Sequence, residues 1–462
     1  MNANSASAQE GAAAHGVSSA RAWYALLVLG VVTLFALVDR QILVLLSEPI
    51  RKQLNLSDLQ LGLLQGTAVT LFAALAAYPL SWLADRVDRR WVMAGCVLAW
   101  SLACAACGLA QDYTQLVMAS AFVGAAEAGL VPITYALIPA LFGPARRQLA
   151  NSSFTLATGI GGGATIALCG LLVTQVESLR PWLPQALQGM EGWRLSFLVA
   201  ALPGPVMALF VLSIARVNAA PRSEALASNP TLLQAVRGQL LPYLREHRKT
   251  FAHFCSGVGL SFFGFGAVSG WMANMLIRQF GQTPQEVGNG MGLAGTAGLI
   301  LGFLISSFGL RRLSARLGDR LPFRSMWIAT LCTALLNFAL MVAPSATAVY
   351  ALYGLMIMCL TLAGMLYITA LQGLAPGTLR ARVVSVQTII NSLAGAAAVP
   401  LVGLLSDQLK DKPNGLMMAA TAIATPALLL SAWLMYRGEM PYAQTAQANA
   451  RADAAAAASA PA

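Results

Sequence analysis

The chain has 462 residues, of which 57% are hydrophobic and only 10% are charged. Soluble globular proteins carry about 25% charged residues, so this composition excludes an ordinary soluble protein, and the mean hydropathy of +0.66 agrees. The net charge of +11 would suit a nucleic-acid binder, but the basic residues lie mostly in short polar stretches between long apolar ones. The composition therefore indicates a polytopic membrane protein.

The chain begins with an Ala/Ser-rich stretch, 1–21, which has neither the basic nor the apolar region of a signal peptide and is expected to be a polar tail. Twelve apolar segments follow, each about 20 residues or longer and able to cross a hydrocarbon core of about 30 Å. Each is predicted to be a helix, because hydrocarbon offers no hydrogen-bond partner to an unpaired backbone group. The segments are 22–46, 59–84, 91–110, 114–142, 149–176, 194–215, 251–277, 287–308, 325–343, 346–373, 383–405 and 414–436.

The longest polar stretch between these segments, 216–250, divides them into two sets of six. The N-terminal half is 22–215, the C-terminal half is 251–437, and the alanine-rich end, 438–462, is expected to be a disordered tail. The halves repeat features, since basic clusters follow both the second and the eighth segment. The predicted fold is an all-α membrane protein with twelve transmembrane helices in two six-helix pseudo-repeats around a central cavity.

The positions of Lys and Arg predict the orientation in the membrane. Of the 29 basic residues, 21 lie in the two tails and in the loops after even-numbered segments, and cytoplasmic loops are the ones enriched in Lys and Arg. Both termini and the linker are therefore expected to be cytoplasmic. The same bias accounts for the basic charge, so no nucleic-acid partner is expected.

Of the eighteen acidic residues, only Asp39 and Glu127 lie well inside apolar segments. A charged side chain at the middle of a membrane helix costs about 2.5–3.5 kcal/mol on insertion scales. Both carboxyls are therefore expected to have a functional or structural role that offsets this cost. Removal from water favours the protonated form of a carboxyl, which suits proton exchange. The alternative is structural: Arg40 holds Asp39, and a protonated Glu127 is hydrogen-bonded between helices.

Arg40 is the one basic residue well inside an apolar segment. It is a candidate counter-ion to Asp39 or Glu127, but adjacent helix positions point about 100° apart, so Arg40 cannot share a face with Asp39. The alternative is that its long side chain extends to the membrane boundary. The sequence leaves both alternatives open.

The loop after the second segment reads Ser81-Trp-Leu-Ala-Asp85-Arg86-Val-Asp88-Arg89-Arg90. This stretch resembles the G-x-L-a-D-R-x-G-R-R signature of the major facilitator superfamily, with Ser81 and Asp88 in place of the two glycines. Three other stretches resemble bacterial spinster-like transporters, with the anion:cation symporters of the same superfamily next closest. They are Val38-Asp39-Arg40-Gln-Ile-Leu, Gly124-Ala-Ala-Glu127-Ala-Gly129, and the run from Gln372-Gly-Leu-Ala-Pro376 through Asn391 to Gly403-Leu-Leu-Ser-Asp407.

The resemblance covers about 22–437 and implies a transporter of the bacterial inner membrane that works by alternating access and needs no cofactor. It also implies roles for particular residues. These are proton coupling for Asp39 and Glu127, with Arg40 as counter-ion, and a cytoplasmic gate formed by Asp85, Arg86, Arg89 and Arg90. A loop that only sets the topology is the alternative to a gate.

Two positions depart from the pattern of the resembled family. Spinster-like proteins usually have an Arg seven residues before the fourth-segment Glu, and this chain has Ser120 there. In the second half, the acidic position of the repeated loop signature is taken by Arg311. The first departure affects the expected partner of Glu127, and the second affects a gate contact.

The predicted cavity is uncharged apart from the residues above, since all four lysines lie in loops. An uncharged lining suits an amphiphilic, lipid-like solute or a small organic monoanion with an apolar body, because a polyphosphate would need several Arg or Lys. Helix packing is the alternative role for each candidate lining residue. The candidates are Gln65, Tyr135, Phe262, Phe263, Trp271, Asn274, Tyr367, Gln372 and Asn391.

Other classes of function fit the sequence poorly. No lysine follows a glycine, as the phosphate-binding loop of an ATP-driven pump requires. An enzyme is not expected, because the chain has only three histidines and neither an H-E-x-x-H nor a G-x-S-x-G motif; its seven cysteines lie inside apolar segments as small buried residues, and no metal site is expected. The sequence predicts a monomeric, proton-coupled secondary transporter, with a passive facilitator or a transport-inactive sensor as alternatives.

Overall fold

The computed structural model describes residues 18–84, 86–182, 184–215, 241–309, 316–375 and 377–458. In these ranges twelve helices are long and apolar enough to cross a membrane, which confirms the predicted all-α architecture. These helices, called spans 1 to 12, are Ser19–Leu45, Asp58–Ala84, Arg89–Leu109, Tyr113–Tyr135, Leu149–Ser178, Gly192–Ser213, Arg248–Phe280, Pro284–Gly309, Leu321–Leu340, Ala346–Tyr367, Val386–Gln408 and Gly415–Asn449.

Polar side chains in the short turns begin several spans. Ser57 and Gln60 form a capping box at the start of span 2, in which each side chain accepts from the backbone N–H of the other. Asp88 caps the start of span 3 and Asp112 that of span 4. These oxygens bind amide N–H groups that the first helical turn leaves without a partner. The caps therefore fix where the spans begin.

Two of the first four spans are interrupted. The helix Tyr113–Glu127 ends inside span 4, and a second helix, Leu130–Leu141, follows it. Pro132 has no N–H to donate to the carbonyl four residues before it, so the helix is broken there and Glu127 becomes the last residue of the first piece. Span 2 contains a π-helical turn, Leu63–Ala68, a feature that is frequent at functional sites.

Internal contacts divide the chain into two units. The first consists of 1–222 with 282–293, and the second consists of 223–281 with 294–462. Span 8 therefore contributes its first residues to one unit and the rest to the other. Most of the predicted linker, 216–240, lies outside the described residues.

Each unit has its own packed interior. In the first unit the largest fully buried side chain is Trp100, with Leu29 and Ile42 also fully buried. In the second unit an aromatic cluster is central, in which the rings of Phe254 and Phe323 lie 5.7 Å apart. Packing inside a unit, rather than helix propensity alone, positions the side chains described next.

The predicted disordered tail at 438–462 is wrong for 438–458, because the helix that begins with span 12 runs from Gly415 to Ala458. Alanine favours helix, and Glu439, Thr445 and Asn449 of this extension have partners in the second unit. Asn449 accepts a hydrogen bond from the Tyr243 hydroxyl and donates one to the Gly373 carbonyl, both at 2.9 Å. At the other end, helix begins at Ser19, three residues inside the expected N-terminal tail.

Candidate functional site

Asp39 lies on span 1 in the interior of the first unit and is hydrogen-bonded to span 3. The indole N–H of Trp100 donates to one carboxyl oxygen, and the Cys104 thiol donates to the other at 3.4 Å. Trp100 and Cys104 are four residues apart and therefore share one face of span 3. Span 3, and not the neighbouring Arg40, thus holds Asp39, which corrects the structural alternative drawn from the sequence. Nothing in the apolar sequence around Trp100 marked it as a partner.

Arg40 is paired with Glu127 of span 4. Its Nε lies 2.8 Å from Glu127 Oε2, with the Arg40 side chain 50% exposed and that of Glu127 only 5% exposed. The other carboxyl oxygen, Oε1, is buried and has no hydrogen-bond partner. Arg40 is therefore a counter-ion, as one of the two alternatives from the sequence expected. The pair leaves one oxygen of Glu127 without a hydrogen bond.

Asp39, Arg40, Trp100, Cys104 and Glu127 together form the carboxyl cluster, which joins spans 1, 3 and 4. Asp39 and Glu127 are close enough to interact electrostatically. The cluster therefore holds two carboxyls, one guanidinium and one thiol at the meeting point of three spans.

A glycine one turn before Glu127 lets span 4 approach span 2 closely. A Cβ at Gly124 would overlap the carbonyl of Val69, so only glycine fits without a shift of one helix. Gly124 belongs to the Gly124-Ala-Ala-Glu127 stretch that carries the family resemblance. This close contact positions the end of the helix on which Glu127 lies.

Ser120, the departure from the spinster-like pattern, lies two turns before Glu127 on the same helix. It is buried, and its hydroxyl lies 3.7 Å from the thiol of Cys107 on span 3. A small hydroxyl therefore fills the position of the expected arginine, and Arg40 from span 1 supplies the positive charge instead.

The predicted gate residues are only partly within the described chain, since Asp85 and Arg311 lie outside it. Arg86 stacks over the ring of Trp82 at 3.7 Å, and Arg89 is half-buried. Arg90 forms an ion pair with Asp88 at 2.8 Å and donates to the carbonyl of Ile214, just past span 6, at 2.8 Å. Asp88, a departure from the signature glycine, is thus both a helix cap and the partner of Arg90.

Two predicted cavity residues lie in the first unit. Gln65 is on the π-helical turn, and its amide oxygen and nitrogen are both buried without a hydrogen-bond partner. Tyr135 is exposed, and its hydroxyl lies 3.4 Å from that of Thr155 on span 5. Gln65 is thus the residue of this pair that has polar atoms to offer a ligand.

The other predicted cavity residues lie in the second unit. Trp271 and Asn274 are fully buried, and the Trp271 indole donates to the Val399 carbonyl at 2.9 Å. Trp271 therefore packs in the interior instead of lining an open surface. Phe262 is exposed and Phe263 half-buried, and the side chain of Gln372 lies outside the described residues.

Tyr367 and Asn391 lie in a hydrogen-bonded chain that includes an unpredicted residue, Gln387. The Gln387 amide nitrogen donates to Asn391 Oδ1 at 2.7 Å, and Asn391 Nδ2 donates to the Tyr367 hydroxyl at 3.2 Å. The rings of Phe254 and Phe262 pack against Tyr367. The sequence did carry a signal for Gln387, since an amide four residues before Asn391 lies on the same helix face.

A separate apolar groove of about 700 Å³ lies among spans 2, 3 and 4. Its lining is almost entirely hydrocarbon, and the side chains of Leu75, Trp91 and Phe122 in it are more than 60% exposed. A large exposed apolar surface of this kind indicates contact with membrane lipid. The groove offers no polar group to orient a solute, so the carboxyl cluster remains the candidate site.

Comparison with known proteins agrees with this architecture. Residues 29–399 match the profile of the Major Facilitator Superfamily. A relative from Mycolicibacterium smegmatis described as an "MFS-type efflux pump" is 28% identical over 91% of this chain and 92% of its own length. A "Gentisate transporter" from Corynebacterium glutamicum is 26% identical over 83% of this chain and 81% of its own length.

Among solved structures, a bacterial homologue of the human lysosomal transporter Spinster superposes with a TM-score of 0.73 at 21% identity. The superposition covers 94% of this chain and 98% of the other. At this level of identity the likeness concerns the fold, and it agrees with the sequence resemblance to spinster-like proteins.

Proposed function

The chain belongs to the major facilitator superfamily, and from this premise we propose that it is a proton-coupled secondary transporter of an organic monoanion. As a member it is a multi-pass integral membrane protein that transports a small solute. The observation that carries the proposal is the pair in the carboxyl cluster. A half-exposed Arg40 is bonded through a single nitrogen to Glu127, whose second oxygen has no partner.

This pair offers a way to link proton binding to anion binding. An ionised Glu127 neutralises Arg40, whereas a protonated Glu127 leaves the guanidinium charge free for a solute carboxylate. Arg40 uses only Nε within the described chain, and the terminal amines of a guanidinium are suited to a carboxylate. Each ligand then strengthens binding of the other, because such linkage is reciprocal. This supports transport of the proton together with the anion.

Asp39 is proposed as the second proton-exchanging group. It interacts with Glu127 and accepts hydrogen bonds from Trp100 and Cys104 of span 3. A proton that reaches Asp39 removes the negative charge to which these donors are bonded. Protonation would therefore loosen span 1 from span 3, which is the kind of local change that alternating access requires.

The relatives support the substrate class. Gentisate, the solute named for the C. glutamicum relative, is a carboxylate on an aromatic ring and hence a monoanion with an apolar body. An efflux pump, as the M. smegmatis relative is described, also suits amphiphilic solutes. The predicted cavity residues of the second unit, Phe262, Tyr367 and Asn391, are uncharged, which agrees with a solute that carries no more than one charge.

The remaining expectations complete the proposal. The arginine bias supports cytoplasmic termini, the family resemblance supports a bacterial inner membrane, and a monomer is proposed with them. Arg86, Arg89 and Arg90, with Asp85 outside the described residues, are proposed as the cytoplasmic gate. Replacement of Asp85 by Asn should raise the cytoplasmic accessibility of reporter cysteines, and unchanged accessibility would leave the loop with a topological role only.

Flux into proteoliposomes tests the coupling. Gentisate serves as the probe, and a gradient of one pH unit should sustain about a tenfold concentration ratio at one proton per anion. Asp39→Asn should lose this accumulation and keep gentisate exchange, because a neutral side chain mimics the protonated state. Glu177→Gln, which alters an exposed ion pair with Arg180, is the matched control and should behave as wild type.

The alternatives predict different results. Gentisate flux that ignores both the pH gradient and an uncoupler would identify a passive facilitator. Wild-type pH dependence in Asp39→Asn would remove Asp39 as a coupling residue. No gentisate flux and no gentisate binding would contradict the proposed substrate class.

A further inference from the structure

Three polar side chains on spans 10 and 11 form a chain of hydrogen bonds in which each donates to the next. Gln387 donates to Asn391, and Asn391 donates to the oxygen of Tyr367. The phenolic hydrogen of Tyr367 then has no acceptor among the described residues of the protein. Each amide that donates toward a hydroxyl polarises it and makes it a better donor, so the chain ends in a strengthened and unused O–H.

The start of the chain is also incomplete. Gln387 is only 1% exposed, and its Oε1 is buried without a hydrogen-bond partner. A buried unpaired polar atom costs about 1–3 kcal/mol, and polar groups inside membrane helices are rare and mark solute pathways. Packing alone does not explain this succession of three polar side chains, in which Gln387 keeps an unpaired oxygen. A ligand that accepts a hydrogen bond from Tyr367 gives the succession a role at its other end.

The surroundings define what such a ligand is like. The Tyr367 ring stacks on Phe254 with 6.0 Å between centroids and meets Phe262 edge to face at 6.4 Å. Phe262 is 42% exposed, so it offers an apolar platform beside the hydroxyl. Gln387, Asn391 and Tyr367 are all uncharged. An uncharged, desolvated donor such as the Tyr367 hydroxyl suits a neutral oxygen of the ligand better than a second carboxylate.

We propose that Tyr367 recognises a neutral oxygen, such as a ring hydroxyl, on the transported solute, while the ring of the solute packs on Phe262. Asn391 and Gln387 are positioning residues that act through Tyr367. This inference rests on the proposed function, because it takes the transported solute to be the organic monoanion proposed above.

The assignment is tested by measuring how variants of the protein bind two ligands that differ only in their ring hydroxyls. Purified full-length protein is titrated with gentisate and with benzoate, which has the same ring and carboxylate without hydroxyls. Tyr367→Phe should weaken gentisate binding about tenfold, the effect of one lost hydrogen bond, and leave benzoate binding unchanged. Gln387→Met, two bonds away, should weaken gentisate binding about threefold with the same selectivity. Thr361→Val is the matched control, because among the described residues the Thr361 hydroxyl on span 10 bonds only to the Ile357 carbonyl.

The outcomes separate the two proposals. Equal losses for gentisate and benzoate, no loss in Tyr367→Phe, or wild-type protein that binds neither probe would each overturn the assignment of Tyr367. A selective gentisate loss in Tyr367→Phe together with flux that ignores the pH gradient would retain this site and reject proton coupling.

Discussion

Two buried Glu residues, Glu127 of the first unit and Glu439 of the second, each pair with an arginine of another span, and they differ in how completely they are bonded. In the first unit Arg40 and Glu127 share one hydrogen bond of 2.8 Å. In the second unit Arg324 donates to both oxygens of Glu439, at 2.6 and 3.3 Å, and the Trp327 indole donates to Glu439 as well, at 3.2 Å.

Burial does not explain the difference. The Glu side chains are 5% and 6% exposed, and the Arg side chains are 50% and 37% exposed. What differs is the supply of donors: both oxygens of Glu439 are satisfied, whereas Oε1 of Glu127 is not. A two-point Arg–carboxylate contact is stronger and better defined than a single bond. The second-unit pair is therefore expected to act as a permanent clamp between spans 9 and 12, and the first-unit pair as an exchangeable one.

The sharpest way to break this comparison is to neutralise each Glu. Glu127→Gln should abolish gradient-driven gentisate accumulation, from about tenfold per pH unit to none, because the site can no longer exchange a proton. Glu439→Gln should retain accumulation. Flux into proteoliposomes at matched protein content measures both, and loss of accumulation in Glu439→Gln alone would reverse the assignment.

Truncation of each Glu to Ala should destabilise the protein more at Glu439 than at Glu127, the opposite of the order expected for transport. Glu439→Ala leaves Arg324 and the Trp327 N–H without their acceptor and should cost about 1–3 kcal/mol, seen as a lower melting temperature in detergent. Glu127→Ala should cost less, since Arg40 is half exposed and loses one bond. Equal melting temperatures for the two variants would contradict the clamp.

Replacement of each Arg by Lys sharpens the distinction further. Lysine keeps the charge but lacks the fork that reaches both oxygens of a carboxylate. Arg324→Lys should therefore lose about 1 kcal/mol of stability, and Arg40→Lys, which replaces a single bond, should change stability little. Thermal unfolding of the two purified variants checks this, and a larger loss in Arg40→Lys would show that the first pair is the more rigid one.

The smallest expected effect concerns the indole that supports the clamp. Trp327→Phe removes one donor to Glu439 while Arg324 keeps both oxygens bonded, so the cost should be about 0.5–1 kcal/mol with unchanged transport. Trp433→Phe on span 12 is the control, because Trp433 is half exposed and stacks with Arg437. A transport defect in Trp327→Phe would mean that the clamp moves during the cycle.

The two pairs also differ in how visible they are in the sequence. Asp39, Arg40 and Glu127 stand out because a charge inside a long apolar segment is costly and rare. Glu439 follows the last apolar segment closely, where charged residues are common, and the sequence predicts a disordered tail at this position. Its role depends on contacts with span 9, more than 110 residues earlier in the chain, and no local pattern reports such a contact.

The twelve membrane helices and the candidate carboxyls could be predicted from the sequence, because hydrocarbon imposes length, apolarity and internal hydrogen bonding on each segment separately. Short motifs carried the superfamily resemblance. Tertiary structure alone decided the partners. It paired Arg40 with Glu127, bonded Asp39 to Trp100 and Cys104, and joined Gln387 to Tyr367 through Asn391. Partner choice depends on which helix faces meet and how closely, and small features such as the contact of Gly124 with Val69 set that distance.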